Sequence, residues 1–369
     1  MPYAWVKVDN YRCLNHLHIE RLGRVNLLTG RNSVGKSCLL EAIELCGASG
    51  DGAALLKQMA ERGLLREDSD TSTYGVETWP SPRIDVQGLF YGWPELVDGL
   101  QAEVATDKGG LAVCLRFPEG GASTAGDAAQ PRRTGLPRIE IRRAGLEEVA
   151  KIEPWDDDPD WLIRRSERLR GYSPSQASSW RDRAVRWQVG ATDINRLAAA
   201  WDSIAMLPPA QDALAALRLV HPDLEALHFP GASGHQTRSP LVKLSGLGRQ
   251  VPLLALGDGV LRLLTIAIGL ATTAGGILLL DEIDTGLHYS IQRELWRMVC
   301  ATAARLGVQV FATTHSWDCV TAFQHAVRQE PSVEGYLHRL QAVPDRVVVT
   351  SFDNEQLAAA TESDIEVRG

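Results

Sequence analysis

The chain has 369 residues, 44% of them hydrophobic and 23% charged, the balance of a globular protein with a large core and two or three domains. A formal net charge of −8 excludes a protein that coats nucleic acid with its whole surface, although a local basic patch stays compatible with it. Six cysteines stand without a CxxC pair, which offers no zinc site and fits a reducing, cytoplasmic compartment.

The opening MPYAWVKVDNYRC lacks the basic start and continuous apolar centre of a secretion signal. Residues 3–29 alternate apolar and polar positions and predict three short strands, the last (RVNLLTG) running into a glycine turn. Helical spacing follows over Leu39 to Cys46. His16 and His18 read as surface residues with no acid or third ligand nearby. GLAVCLRF (110–117) and PRIEIRRAG (137–145) read as strands, and the Gly/Ala/Ser-rich stretch between them as a loop.

Residues 155–190 change character: an acidic turn, WDDDPDW, precedes a stretch with seven arginines against two acids, interleaved with Trp161, Trp180 and Trp187. Residues 192–218 predict helix in two pieces, broken at LPP (207–209), and LEALHF with SPLVKL predicts a hairpin. From Gly257 onward, a helix (260–272), the strand GILLLDE, a helix from Ser290 to Leu306 and the strand VQVFATTH alternate. That is the pattern of a parallel sheet covered on both faces. Val260 to Leu280 is apolar enough to suggest a membrane span. Arg262 and the Gly275-Gly276 break make a helix, a turn and a buried strand the better reading. GYLHRLQ and DRVVVTSF predict a closing hairpin, and NEQLAAATE a short helix.

Three motifs carry chemistry. GRNSVGKS, Gly30 to Ser37, fits GxxxxGK[ST] between a strand and a helix. Gly30 and Gly35 allow the backbone of Arg31, Asn32, Ser33 and Val34 to curl its N–H groups around a phosphate. Lys36 would neutralise the β- and γ-phosphates and the Ser37 hydroxyl would hold Mg²⁺. Cys38 follows in the first helical turn, either as a small apolar packing residue or as an oxidation-sensitive thiol. Asp281 and Glu282 end the strand GILLLDE, where Asp281 would orient a magnesium-bound water and Glu282 would polarise the attacking one. The plainer alternative is that the two acids cap the next turn. His315 ends the strand VQVFATTH, within reach of a γ-phosphate or as a structural imidazole.

The order of these motifs resembles ABC-type ATPase heads, nearest to the SMC, RecF and OLD group, over roughly residues 1–47 and 240–325. The resemblance implies a P-loop α/β fold: a mixed sheet, an antiparallel N-terminal lobe and a mostly helical insertion. Segments 1–50 and 236–369 would form the head, and 51–235 the insertion. It places a signature turn at Gly257, Asp258 and Gly259, a D-loop at IDTGLHYS, and a magnesium-contacting glutamine at Gln87. Gly257 replaces the family's signature serine and His288 its D-loop aspartate. The implied activity is Mg²⁺-dependent hydrolysis of ATP by a homodimer that closes on nucleotide.

Relatives couple such closure to DNA, RNA or a partner protein. No heptad run crosses 51–235, and the 54 residues after His315 are too few for a nuclease domain, so any nuclease is expected to be a separate protein. Arg164, Arg165, Arg168 and Arg170 are candidate nucleic-acid contacts, with a solvated helix face as the alternative. Three functions compete: a clamp or sensor on nucleic acid in repair or antiphage defence, a regulatory subunit of a separately encoded nuclease or toxin, and a transporter subunit.

Overall fold

A computed structural model describes residues 3–47, 52–64, 85–117, 138–144, 149–152, 184–189, 192–231 and 238–362. In chain order its elements begin with β1 (Val6–Asp9), β2 (Leu17–Ile19), β3 (Val25–Thr29), α1 (Lys36–Gly47), α2 (Gly52–Glu61) and β4 (Gln101–Thr106). β5 (Gly109–Arg116), β6 (Arg138–Arg143), β7 (Val149–Ile152), β8 (Ala184–Gln188), α3 (Ile194–Ile204) and α4 (Pro209–Arg218) follow. Then come β9 (Leu224–His228), β10 (Leu241–Leu244), β11 (Gln250–Pro252), α5 (Asp258–Thr272), β12 (Ile277–Asp281) and α6 (Tyr289–Leu306). β13 (Gln309–Thr313), α7 (Trp317–Gln329), β14 (Gly335–Val343), β15 (Arg346–Phe352) and α8 (Asn354–Glu362) complete the described chain.

The strands form two six-stranded sheets and a small three-stranded one. The central sheet runs β15-β14-β3-β13-β12-β8, parallel from β14 to β8 with β15 as an antiparallel edge. The second sheet, β2-β1-β4-β5-β6-β7, is antiparallel throughout. Alternation along the central strands divides their side chains between two cores. Leu278, Leu280, Val310 and Ala312 pack on one face with α3 to α7, and Ile277, Leu279 and Phe311 pack on the other with α1 and the antiparallel sheet. A strand buried on both faces cannot alternate with polar residues, which is why GILLLD and VQVFAT read as unbroken apolar runs.

The described parts of 51–235 are woven into this architecture. Its strands β4 to β7 extend the sheet begun by β1 and β2, and β8 adds the outermost parallel strand of the central sheet. β4, β7, β8, β11, α2 and α7 are not among the expected elements and add to them. The break at 207–209 falls where Pro208 and Pro209 open α4. Among the described residues no helix is long and apolar enough to cross a membrane.

Candidate functional site

β3 is buried along its length and delivers the chain into the glycine turn. Gly30 (φ 141°) and Gly35 (φ 105°) use backbone conformations that L side chains rarely adopt. A Cβ on Gly30 would stand 2.4 Å from the Leu340 carbonyl oxygen, and one on Gly35 2.5 Å from Leu14 Cδ2 and 3.0 Å from Cys13 Sγ. Ser33 also sits in the left-handed region, at φ 61°. Arg31, Asn32 and Ser33 are exposed, Val34 is buried, and Ser37 and Cys38 are half-buried in the first turn of α1.

Lys36 folds back over the turn, with Nζ donating to the carbonyls of Gly30 at 2.8 Å and Arg31 at 3.0 Å. Its side chain is buried, and that burial draws the ammonium down to about 8, against the opposing pull of Asp281 and Glu282. The acid pair thus shares a field with Lys36, although some 245 residues separate them in sequence. The sheet order explains this proximity: β13 pairs with β3 on one side and β12 on the other, so all three parallel strands present their carboxyl ends together.

Thr313, the last residue of β13, ties the ends to one another. Its hydroxyl donates to Asp281 Oδ1 at 2.7 Å and accepts from the Glu282 amide at 2.7 Å, while its carbonyl accepts from the Ile283 amide at 3.1 Å. Glu282 holds a left-handed backbone, φ 53°, and its carboxylate is exposed. Two residues past Thr313, partial burial and the Lys36 charge keep the His315 imidazole below its ordinary range, against Glu282, Asp284 and Asp281. Lys36, Asp281, Glu282 and His315 therefore converge. Thr313 went unnoticed in the sequence, where its signal is no more than a hydroxyl residue two places before His315.

The Gly257–Gly259 turn opens α5, with Gly257 at φ 105° and both Gly257 and Asp258 exposed. Gly259 touches the loop after Glu282, a Cβ there lying 3.5 Å from the Gly286 carbonyl oxygen and from Leu287. His288 caps α6: its Nδ1 accepts from the Ser290 amide and lies 2.8 Å from the Ser290 hydroxyl. Gln87 lies in a short 3-10 turn, Gln87–Leu89, exposed, with Nε2 donating to the Pro94 carbonyl at 3.4 Å. That turn is held beside the β1–β2 connection, since the Arg12 amide donates to Leu89 O at 3.0 Å.

Arg164, Arg165, Arg168 and Arg170 lie outside the described residues. The far end of the same arginine-rich stretch is described, and there the chain is neither a helix face nor solvated, because Arg186 and Trp187 lie in β8. Arg186 is 5% exposed and pairs with Glu44 at 2.9 Å, Glu41 at 3.9 Å and, closest, Glu61. Trp187 beside it is buried under Arg196, whose guanidinium carbon lies 4.3 Å from the ring centroid. His16 is exposed, as its surface reading expects, but an acid does stand beside it, with Nδ1 2.9 Å from Asp9 Oδ1. Behind the glycine turn, the Cys13 thiol is drawn down to about 7, chiefly by a hydrogen bond from Cys38.

A family model described as "AAA domain, putative AbiEii toxin, Type IV TA system" matches residues 145–318, which include the acid pair and His315 but not the Gly30–Ser37 turn. The Methanocaldococcus jannaschii protein "Uncharacterized protein MJECL10" is 32% identical over 60 residues, 16% of this chain and 27% of that one. The match thus spans about a quarter of that relative's length. Among solved structures, an SMC head bound to the C-winged helix domain of ScpA aligns with a TM-score of 0.50 at 11% identity, over 96% of this chain and 99% of that one. The SMC head domain from Thermotoga maritima aligns at 0.45 and 15% identity, over 95% and 99%. One derived from Pyrococcus furiosus, bound to the C-terminal domain of ScpA, aligns at 0.49 and 11%, over 99% and 100%. The fold is that of the SMC head domain aligned at a TM-score of 0.50.

Proposed function

We propose that the chain is a Mg²⁺-dependent ATPase in which two copies close around nucleotide. The observation that carries this reading is the convergence of Lys36, Asp281, Glu282 and His315 at the carboxyl ends of adjacent parallel strands. The amides of residues 31–37 and the amino end of α1 receive the phosphates, and Lys36 exchanges its two carbonyl partners for phosphate oxygens. Glu282 accepts a proton from the attacking water, and His315 donates to the γ-phosphate.

The donors at the metal position fit the ion. Ser37 and Asp281 offer hard oxygens, and Thr313 engages Asp281 through Oδ1, so Oδ2 stays available. Ser37 and Asp281 hold Mg²⁺ in this reading, with Gln87 as a third contact. The ion supplies charge neutralisation for the triphosphate when bound.

The Gly257–Gly259 turn, exposed at the head of a 15-residue helix, offers amides and a dipole to a nucleotide held by a second copy. Closure of the pair acts as a clamp or sensor on nucleic acid, in repair or antiphage defence. The similar SMC head bound to a domain of ScpA supports a second reading, control of a separately encoded effector protein.

Phosphate release decides the enzymatic claim. Wild type is expected to hydrolyse Mg-ATP, Lys36→Ala to lose nucleotide binding, and Glu282→Gln to bind Mg-ATP while turnover falls at least about a hundredfold. Light scattering of Glu282→Gln with Mg-ATP should report a dimer. Equal turnover in wild type and Glu282→Gln would remove the assigned base, and a monomer would remove the closing pair.

A further inference from the structure

The loop that follows Glu282 connects two motifs that the sequence leaves unrelated. Thr285 Oγ1 donates to Glu282 Oε2 at 3.1 Å. The carbonyl of the same Thr285 accepts from Arg262 Nη1 at 2.5 Å. Arg262 belongs to α5, one turn beyond the Gly257–Gly259 turn. Its guanidinium also fills the space beside Gly286 (φ 70°), where a Cβ would lie 2.6 Å from Cζ and 2.7 Å from Nε.

The loop between these ends is stiff. The Ile283 side chain is fully buried, and its amide is bonded to Thr313. The Thr285 amide donates to the Glu282 carbonyl and the Leu287 amide to the Asp284 carbonyl, each at 3.1 Å, which makes two overlapping turns. The Glu282 backbone is pinned by Thr313, so Thr285 bears on the carboxylate while Arg262 bears on Thr285. A shift at the start of α5 has a short, hydrogen-bonded route to the end of the Glu282 side chain.

We infer that Arg262 and Thr285 are positioning residues that transmit the placement of the Gly257–Gly259 turn to the Glu282 carboxylate. This rests on the reading of Glu282 as the base and of the turn as the surface that meets a second copy's nucleotide. Its consequence is that a subunit's own base is aimed when its signature turn is engaged. Both residues act through Glu282 in this reading, Thr285 directly and Arg262 by way of Thr285.

The test uses the full chain with Arg262→Met, Thr285→Val, Thr285→Ser and the Arg262→Met/Thr285→Val double variant. Affinity for a fluorescent non-hydrolysable ATP analogue with Mg²⁺ should stay within about twofold of wild type, because the Gly30–Ser37 turn is untouched. Turnover should fall about tenfold in Arg262→Met and Thr285→Val with KM nearly constant, the mark of a misaimed group rather than lost binding. Thr285→Ser keeps the hydroxyl and should retain most of the turnover. The double variant should lose no more than the worse single one, because both act along one route.

Hydrogen exchange in nucleotide-free protein is the second readout. Arg262→Met should speed exchange over residues 283–287 while leaving 36–47 unchanged. Wild-type kcat in both single variants, losses that multiply in the double variant, or unchanged exchange over 283–287 would each overturn the relay. A wild-type chain without turnover refutes the ATPase reading instead, and the exchange experiment still decides the Arg262–Thr285 link.

Discussion

Lys36 stores a measurable cost in the nucleotide-free protein. Burial lowers its ammonium from the ordinary 10.5 to about 8. Each pH unit of displacement corresponds to about 1.4 kcal/mol, so the protonated lysine costs the folded state about 3 kcal/mol. The residue is 7% exposed, which leaves little solvent screening to reduce that figure. The sign follows from proton counting. Between about pH 8 and 10.5 the unfolded chain keeps the lysine proton that the folded chain releases, so stability rises with pH across that window. Below the folded value the penalty is present in full.

Lys36→Met removes the titration. It also removes two hydrogen bonds, to Gly30 O and Arg31 O, a loss that shifts the whole stability curve without adding a slope of its own. The gap between variant and wild type isolates the proton effect. Measured by urea unfolding with EDTA and no nucleotide, the variant's relative advantage should shrink by about 3 kcal/mol from pH 7.5 to 10.5. A pH-independent gap would refute the burial argument. The same reasoning reaches binding. Triphosphate charge restores a high lysine pKa, so nucleotide binding above about pH 8 takes up a proton and weakens by up to about tenfold per pH unit. Calorimetry in two buffers of different ionisation heat should show that proton, and equal apparent enthalpies would deny it.

Gly35→Ala forces a side chain onto φ 105° and against Leu14, and should cost about 2–4 kcal/mol in thermal or urea unfolding; wild-type stability would mean the turn is not built as described. Arg186→Met leaves buried Glu44 without its main counter-charge and should destabilise by about 3–5 kcal/mol, a loss below about 1 kcal/mol marking the cluster as dispensable. Cys13 is half-buried and its thiol is drawn below the ordinary range, so iodoacetamide followed by peptide mapping should mark it well before buried Cys300 and Cys319, whose thiols burial raises to about 12; faster labelling of either would contradict the environment assigned to Cys13.

Local chemistry made several parts of this protein readable in advance. A glycine turn between an apolar strand and a helix, and two apolar strands ending in Asp281-Glu282 and His315, declare themselves within a few residues each. β8 does not, because AVRWQ becomes a buried strand only where Glu41, Glu44 and Glu61, up to 145 residues earlier, neutralise Arg186. His288 looked like a missing aspartate, yet its imidazole does the work of an acid or serine at a helix start, capping α6 through Nδ1.

The deeper obstacle is spatial order. The chain visits β3, then β12, then β13, but the sheet places β13 between the other two. Reading along the chain finds three strand ends and has no means of knowing which stands in the middle. The middle strand alone lies next to both the glycine turn and the acids, and its terminal residue, Thr313, therefore bonds Asp281, Glu282 and Ile283 while the Thr314 amide donates to Leu28 of β3 at 3.1 Å. The same limit hides Arg262 and Thr285, whose partnership depends on α5 packing over the β12–α6 loop. Residues that contact phosphate are constrained by the ligand's shape and recur as motifs. Residues that hold those contacts in place are constrained by neighbours the fold supplies, so they become visible once the strands are in order.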